Sequence, residues 1–457
     1  MSTETVRVGA SDEAVERRRE QRGWYFYDWA CSVYSTSVLT VFLGPYLTSV
    51  AESAADADGF VHPLGIPVRA GSFFAYSVSL SVILAVVVMP LVGSAADRSG
   101  RKKPLLAAAA YTGAAATTGM FFLDGDRYLL GGLLLIVANA AQSVAMMLYN
   151  AYLPQIAPPE ERDAVSSRGW AFGYAAGSLV LVANLVLYSA HDGFGVSETT
   201  AVRICLAAAG LWWGAFTLVP LRRLRDRRSK AAGAAGAGAE AGATSAGLRQ
   251  LVATVRDMRR HPLTLAFLLA YLIYNDGIQT VISQASVYGS EELGLGQSTL
   301  IGAVLLVQVL AVAGALTMGR LARAYGAKRT ILGSLVAWTV TLGAGYFLPA
   351  GAPVWFFVLA AGIGLVLGGS QALSRSLFSH LVPPGKEAEY FSAYEMSDRG
   401  MSWLGPLLFG VTYQLTGSYR SAIISLVAFF VIGFALLARV PVRRAIEGAG
   451  NPVPERI

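Results

Sequence analysis

Apolar residues in this chain are grouped in long runs separated by short polar segments. Twelve runs reach the roughly 20 residues that an α-helix needs to cross the hydrocarbon core of a membrane. Closed β-barrels need short strands in which apolar and polar residues alternate, and these runs do not alternate. The pattern therefore predicts twelve transmembrane helices. To within a few residues at each end, they cover 24–51, 70–96, 104–123, 128–153, 166–190, 201–220, 262–289, 298–320, 328–348, 353–381, 391–416 and 420–440.

Composition supports a membrane protein over a set of soluble domains. Of the 457 residues, 54% are apolar and 14% are charged, whereas soluble domains carry roughly 25% charged residues. Cys31 and Cys205 lie far apart inside apolar runs, which indicates neither a disulfide framework nor a thiolate metal site. Residues 1–23 are polar, and the run after them lacks the small-residue cleavage pattern of a signal peptide.

The positions of lysine and arginine predict which side of the membrane each loop faces. With the N-terminus inside, the cytoplasmic segments and their span ends hold 31 of the 36 basic residues. The external loops hold Arg69, Arg127, Arg203 and Arg420, and Arg375 falls within a span. This bias predicts that both termini are cytoplasmic. It also accounts for the net charge of +7 without nucleic-acid binding.

A basic and then Ala/Gly-rich segment divides the predicted spans into two groups of six. Its last part, residues 248–260, is typical of a short basic amphipathic helix on the inner leaflet. The fold class is all-α integral membrane, with two six-helix repeats in parallel topology and a binding site expected between them. The predicted domains are an N-terminal cytoplasmic segment, the first bundle, a linker, the second bundle and a cytoplasmic tail: 1–23, 24–220, 221–261, 262–441 and 442–457.

The halves also repeat a loop motif. After span 2 the chain reads Gly93-Ser-Ala-Ala-Asp97-Arg98-Ser-Gly100-Arg101-Lys102-Lys103, and after span 8 it reads Gly319-Arg-Leu-Ala-Arg323-Ala-Tyr-Gly326-Ala-Lys328-Arg329. Glycine allows close helix approach, and an acid at the end of a span can meet a helix N-terminus or an arginine. We expect the first copy to act as a gating latch; its alternative role is only to set topology. The expected gating residues are Gly93, Asp97, Arg98, Gly100, Arg101 and Lys102.

Strongly polar residues concentrate in spans 1, 4, 7 and 10, where they fall on one helix face. Polar groups in a membrane are costly, so these faces are predicted to line a water-filled pathway. Equally, amides and hydroxyls can join helices without touching a substrate. The candidate substrate-binding residues are Ser32, Asn139, Gln142, Asn275, Gln279, Gln284, Gln371 and Arg375.

Three charged residues in these spans have alternative interpretations. Asp28 and Asp276 are candidates for ion coupling, although Asp28 lies close to the start of span 1 and is equally consistent with an interfacial position. Asp276 is expected near mid-bilayer. Arg375 can extend its charge towards the interface, hold an anionic substrate group or pair with an acid.

Other energy sources and chemistries lack their motifs. The chain contains no phosphate-binding G-x-x-x-x-G-K-[ST] loop and no H-E-x-x-H, so no nucleotide cofactor or metal site is expected. The four histidines fall in loops or at span ends, which leaves a buried carboxylate as the candidate proton carrier.

The loop beginning at Gly93 resembles the signature of the major facilitator superfamily. Several further segments are similar to its vacuole-effluxer-like branch, from about residue 22 to about residue 440. They are Tyr27-Asp28-Trp29-Ala30, Tyr274-Asn275-Asp276-Gly277, Leu153 to Glu160, and Val382 to Phe391 with Gly405-Pro406 downstream. The resemblance implies a rocker-type carrier, with amino acids as a substrate class.

We therefore expect a monomeric secondary carrier of the cell inner (plasma) membrane. It would move a small solute by alternating access, driven by a proton or solute gradient, and would not be an enzyme. Two alternatives remain: a receptor or scaffold on the same fold, and a membrane enzyme acting on lipid, for which no catalytic constellation is present.

Overall fold

A computed structural model of the chain describes residues 2–226, 256–400 and 404–457. The regular secondary structure of the described part is helical apart from one two-stranded hairpin, in which β1 (Phe60–Val61) pairs antiparallel with β2 (Val68–Arg69). The earlier helices are α1 (Ser2–Val33), α2 (Leu43–Ser53), α3 (Phe73–Ser99), α4 (Lys102–Gly119), α5 (Tyr128–Asn150), α6 (Leu153–Ile156), α7 (Arg162–Ser189) and α8 (Glu198–Arg223). The later helices are α9 (Pro262–Val287), α10 (Gln297–Tyr325), α11 (Ala327–Tyr346), α12 (Pro353–His380), α13 (Glu387–Gly400), α14 (Leu404–Thr416), α15 (Tyr419–Ser425), α16 (Val427–Arg439) and α17 (Val442–Gly448).

Ten helical stretches in the described residues are long and apolar enough to cross a membrane. This number confirms a multi-pass membrane protein. The two other predicted spans, 328–348 and 391–416, coincide with α11 and with the pair α13 and α14. Twelve crossings and two cytoplasmic termini stay predictions.

The helix α3 shows how apolar side chains divide between lipid and protein. Its exposed apolar residues recur at intervals of three and four, which places them on one helix face. They are Tyr76, Leu80, Ile83 and Val87. The buried row of the same helix contains Ser77, Ser81, Ala85 and Met89. Mostly small and polar residues therefore face the protein, as expected for a helix whose outer side is solvated by lipid.

The described residues form two compact units. One contains residues 2–149 and 175–226, and the other contains 150–174, 256–400 and 404–457. The 150–174 segment thus groups with the later helices, although it precedes the linker in sequence. The division into two six-helix repeats at 221–261 stays a prediction.

In the first unit, α4 and α8 are in close contact through small residues. A Cβ atom on Gly113 would overlap the Trp213 ring, and one on Gly210 would lie 2.8 Å from the carbonyl oxygen of Ala114. Trp213 is completely buried. Glycine at these positions lets a large indole and a helix backbone occupy the space of a side chain.

In the second unit, α10 and α12 pack backbone against backbone. A Cβ on Gly314 would lie 2.8 Å from the carbonyl carbon of Leu365, and one on Gly364 would lie 2.7 Å from the carbonyl oxygen of Val307. A Cβ on Gly368 would overlap the carbonyl oxygen of Ala311. Three glycines at successive contact points therefore hold these two helices at the shortest distance that their main chains allow.

The end of the linker is tied to the loop after α12 and to the first turn of α13. Residues 248–255 of the predicted amphipathic helix lie outside the described residues, whereas 256–258 are helical. The Asp257 carboxylate lies 2.6 Å from Lys386 Nζ and accepts a hydrogen bond of 3.1 Å from the Tyr390 hydroxyl. Burial acts to raise the pKa of Asp257, but the hydrogen bond and charge of Lys386, with the hydroxyl of Tyr390, outweigh it and lower the pKa.

The pKa of the Asp257 carboxylate is lower in the folded protein than in the unfolded chain. The ionised carboxylate should therefore stabilise the folded state fully above the ordinary pKa of about 4, and this stabilisation should be lost as the pH falls through the lower pKa of the folded state. We expect Asp257→Asn to reduce the Tm by about 2 °C at pH 7, with the difference disappearing at acidic pH. Thermal unfolding in detergent across this pH range measures it, with exposed Asp58→Asn as the control. A Tm difference that is constant with pH would contradict the assignment.

Candidate functional site

Asp28 lies in the interior of the first unit. It is 4% exposed, and its Oδ2 atom accepts a 2.5 Å hydrogen bond from the Tyr149 hydroxyl. The Tyr149 ring stacks on Trp24 at 4.3 Å between centroids, and Trp24 Nε1 donates to the Tyr149 carbonyl at 2.9 Å. The carboxylate is therefore held between α1 and α5 and is not exposed at a helix end; its role in ion coupling stays a prediction.

The amides predicted on α5 are used between helices. Asn139 Nδ2 donates to Ser81 Oγ at 2.6 Å, and Gln142 Nε2 donates to Ser35 Oγ at 2.7 Å. Both amides are buried, whereas Ser32 is half-buried. These bonds favour a helix-joining role for Asn139 and Gln142 and leave Ser32 the more accessible candidate in this unit.

On α9, in the second unit, the polar residues differ in accessibility. Asn275 and Asp276 are buried, whereas Gln279 and Gln284 are half-buried. Asp276 Oδ2 accepts a hydrogen bond of 2.8 Å from the backbone N–H of Gly405 in α14, while no described residue donates to its Oδ1 atom. A Cβ on Gly405 would lie 2.8 Å from Thr280 Cβ, so glycine permits the approach of α14 that forms this bond. Asp276 thus has one carboxylate oxygen committed to structure.

Arg375 is 1% exposed and lies over the Trp170 ring at 5.4 Å. Its Nε donates to Ser166 Oγ at 2.9 Å, and its Nη2 donates to the Ser166 carbonyl at 2.9 Å. Its Nη1 donates to Asn150 Oδ1 at 3.2 Å. The guanidinium therefore does not extend to the interface; it binds the 150–174 segment.

A buried carboxylate completes this cluster. Asn150 Nδ2 donates to Glu395 Oε1 at 2.7 Å, so one amide connects the cation of α12 with the acid of α13. Asn150 and Glu395 are both buried. The sequence offered a signal for each, since Asn150 lies on the polar face of predicted span 4 and Glu395 is an acid inside predicted span 11. Neither was among the predicted site residues.

Further bonds fasten the 150–174 segment to α12. Ser166 Oγ donates to the Ala372 carbonyl at 2.6 Å, Arg162 Nη1 donates to the Ser379 carbonyl at 2.9 Å, and the Tyr174 hydroxyl donates to Gln371 Oε1 at 3.2 Å. The predicted substrate residues Gln371 and Arg375 therefore both contact this segment. We call these bonds, with the cluster of Arg375, Asn150 and Glu395, the closure contacts.

The loop motif after α3 contains a buried ion pair. Lys102 Nζ lies 3.2 Å from Asp97 Oδ1, and both side chains are buried. Gly100 ends α3 with φ of 65°, a left-handed conformation that glycine adopts without strain. Arg98 and Arg101 are exposed, whereas Gly93 is buried. The acid thus has a partner inside the motif itself.

The second copy of the motif makes a different contact. Gly319, which corresponds to Gly93, packs against Ser167, because a Cβ there would lie 2.7 Å from Ser167 Cβ. Arg323, which replaces the acid, lines a cavity together with Glu160 and Asp163. The copy thus faces the 150–174 segment.

The histidines do not assemble into a site. Within the described residues, no group of three His, Cys, Asp or Glu side chains is placed to hold a metal ion. Each histidine has its own separate neighbour: His62 beside Asp56, His191 beside Tyr188, His261 beside Tyr390, and His380 beside Arg162.

Comparison with known proteins identifies the family. The profile of the family described as "Vacuole effluxer Atg22 like" matches residues 16–450. The chain is 30% identical over 426 residues to "Uncharacterized MFS-type transporter YxiO" of Bacillus subtilis (strain 168), covering 93% of this chain and 95% of that protein. It is 25% identical over 509 residues to "Autophagy-related protein 22" of Pyricularia oryzae, covering 90% of this chain and 74% of that protein.

Solved structures of the major facilitator superfamily (MFS) share the fold. The proton:xylose symporter XylE, bound to 6-bromo-6-deoxy-D-glucose, has a TM-score of 0.64 at 14% identity, covering 94% of this chain and 96% of that chain. The transporter FucP in the outward conformation has a TM-score of 0.63 at 13% identity, covering 92% and 98%. At these identities the likeness concerns the fold alone. Together with the family match over most of its length, it shows that the chain belongs to the Atg22-like vacuole effluxer family and is a multi-pass MFS transporter.

Proposed function

We propose that this transporter is a monomeric secondary carrier that moves a small solute by alternating access, driven by a proton or solute gradient. The observation that carries the proposal is the set of closure contacts. Charged groups inside a membrane protein are expensive and are usually tied to function. Here a buried cation and a buried acid hold a chain segment onto α12 and α13 through one amide.

The closure contacts have the properties of a gate. They are hydrogen bonds between polar groups, and such bonds can be exchanged for bonds to water at a modest net cost of about 1 kcal/mol each. Releasing the 150–174 segment would expose Arg375 and Glu395 to water, which hydrates both charges. The proposed gate therefore alternates between this bonded state and a hydrated one. We accordingly assign Arg375 to gating in the bonded state.

Accessibility ranks the remaining candidates for solute binding. Ser32, Gln279 and Gln284 are half-buried, so they offer polar atoms to a solute more readily than Asn139 or Gln142, which join helices. We propose amino acids as the solute class, because an amide can serve both the ammonium and the carboxylate group of such a solute. The description of the matched family as vacuole effluxers supports export as the direction, and we place this carrier in the cell membrane.

Flux in reconstituted liposomes tests the function. Purified protein is first screened by thermal shift against amino acids and small peptides, and each stabilising compound is then offered to proteoliposomes with an imposed pH gradient. We expect accumulation that a protonophore abolishes, with protein-free liposomes as the blank. Binding without flux would favour a receptor or scaffold instead.

The buried ion pair of the loop motif gives a kinetic prediction. Replacing Asp97 with alanine leaves Lys102 buried without this partner, which destabilises the state that contains the pair. If the motif acts in gating, turnover should fall about tenfold while KM changes by less than about twofold. Transport kinetics of the solute found in the flux screen measure both values. An equal loss in affinity would make Asp97 a binding residue, and no change would leave the motif a topology signal.

A further inference from the structure

Residues 442–457, which we call the tail, fold back onto the helix ends of the second unit. The tail begins with α17, whose Val442, Ala445 and Ile446 are buried. Further along, Pro454 is buried as well. Apolar side chains thus anchor the tail at two points. Its polar side chains bind the ends of neighbouring helices.

One tail amide caps the end of α12. The last carbonyls of an α-helix have no partner within the helix. Asn451 Nδ2 donates to the carbonyl oxygen of His380 at 2.9 Å and to that of Val382 at 2.7 Å. A single side chain therefore uses both of its amide hydrogens to fix the end of α12 and the turn that follows.

A tail cation caps the end of α10 in the same way. Arg456 Nη1 donates to the carbonyl oxygen of Ala324 at 2.8 Å, in the last turn of the helix. A positive charge at a helix C-terminus is also favoured by the helix dipole. Next to it, Gly326 has φ of 89° and a Cβ there would collide with the backbone of Ile457. The tail therefore reaches the ends of both α10 and α12.

The end of α12 is held from a second direction by the 150–174 segment. Arg162 Nη1 donates to the carbonyl of Ser379, and the Arg162 guanidinium lies 3.4 Å from His380 Nδ1. The tail binds the very next carbonyl, that of His380. Between the tail and this segment lies a cavity of about 280 Å³. Movement of this helix end would thus disturb both sets of bonds.

We propose that the tail is a strap and that Asn451 is a positioning residue for the closure contacts. By fixing the end of α12, Asn451 holds the Ser379 carbonyl where Arg162 can bind it, and it stabilises the bonded state of the gate. Releasing the strap shifts the carrier towards the state in which the 150–174 segment is free. This role rests on the proposed alternating-access function.

Hydrogen exchange measured by mass spectrometry on the full-length protein in nanodiscs tests the strap without any ligand. In Asn451→Ala we expect amide exchange to accelerate about tenfold in peptides covering 376–383 and also in those covering 158–166. Arg456→Ala should do the same over 322–328 and 158–166. Glu447→Ala, an exposed change on α17, is the matched control and should alter neither.

Exchange in the peptides covering 158–166 decides whether Asn451 is a positioning residue for the closure contacts. Faster exchange confined to 376–383 would reduce Asn451 to a local helix cap and overturn the proposal, as would unchanged exchange in both peptides. Flux is measured separately on the same samples. Faster exchange in both peptides without flux of any solute would support the strap and count against the transport function. Flux with unchanged exchange would support the transport function and overturn the strap.

Discussion

Replacing Asp276 with asparagine is expected to reduce gradient-driven transport to the level of protein-free liposomes while leaving the protein folded. Asparagine retains an oxygen that can accept the backbone N–H of Gly405, so the bond between α9 and α14 survives. The variant loses the ability to bind and release a proton at this position. If Asp276 couples transport to protons, the structural and the coupling roles should therefore separate in this one substitution.

Alanine at the same position is the matched comparison. Asp276→Ala removes both the titratable group and the acceptor for Gly405, so it should lower the thermal stability, whereas Asp276→Asn should stay within about 2 °C of the unchanged protein. Flux under a pH gradient and thermal unfolding in detergent are measured on both variants. Transport by Asp276→Asn that keeps its rate and pH dependence would exclude Asp276 from ion coupling.

Replacing Gly314 with alanine is expected to produce the largest loss of stability among the single substitutions considered. The new Cβ would lie 2.8 Å from the carbonyl carbon and 2.9 Å from the Cα of Leu365. These are backbone atoms that cannot move aside by rotating a bond, so α10 and α12 must separate. Overpacking lowers the free energy of unfolding by about 1–3 kcal/mol where side chains can adjust. For Gly314→Ala we expect a loss of at least the upper value, and a Tm lower by about 5 °C.

Gly333→Ala provides the control for this substitution. Gly333 lies in α11, and a Cβ there would meet no atom within 4 Å. Alanine should then be neutral or slightly stabilising, because it has the higher helix propensity. Thermal unfolding of the two variants in the same detergent measures the difference. Equal stabilities would show that α10 and α12 tolerate separation.

The positions of helices could be predicted well because they depend on local composition. The predicted run 353–381 corresponds to α12 (Pro353–His380), and 262–289 corresponds to α9 (Pro262–Val287). A helix that crosses lipid must be apolar over its whole length, and that property is visible in any window of sequence. The hairpin of β1 and β2 was not predicted, since two-residue strands leave no period to detect.

The partners of polar residues could not be predicted, because they join positions far apart in the chain. Helical spacing places Asn150 and Arg375 on polar faces, yet it does not indicate that they bind each other across 225 residues. The sequence alone leaves three roles open for Arg375, because the acceptors of its guanidinium lie far away in the chain. Glu395 was not predicted because it lies in span 11, outside the spans expected to line the pathway. Periodicity identifies a face, whereas packing selects the partner.

The backbone contact between α10 and α12 has a mechanical consequence. Where side chains separate two helices, rotamer changes can absorb small displacements before the neighbour responds. At Gly314, Gly364 and Gly368 no side chain separates the helices, because the main chain of one helix contacts the main chain of the other. A displacement of α10 by a fraction of an ångström should therefore already displace α12, and with it Arg375. We therefore expect the two helices to move as one rigid body.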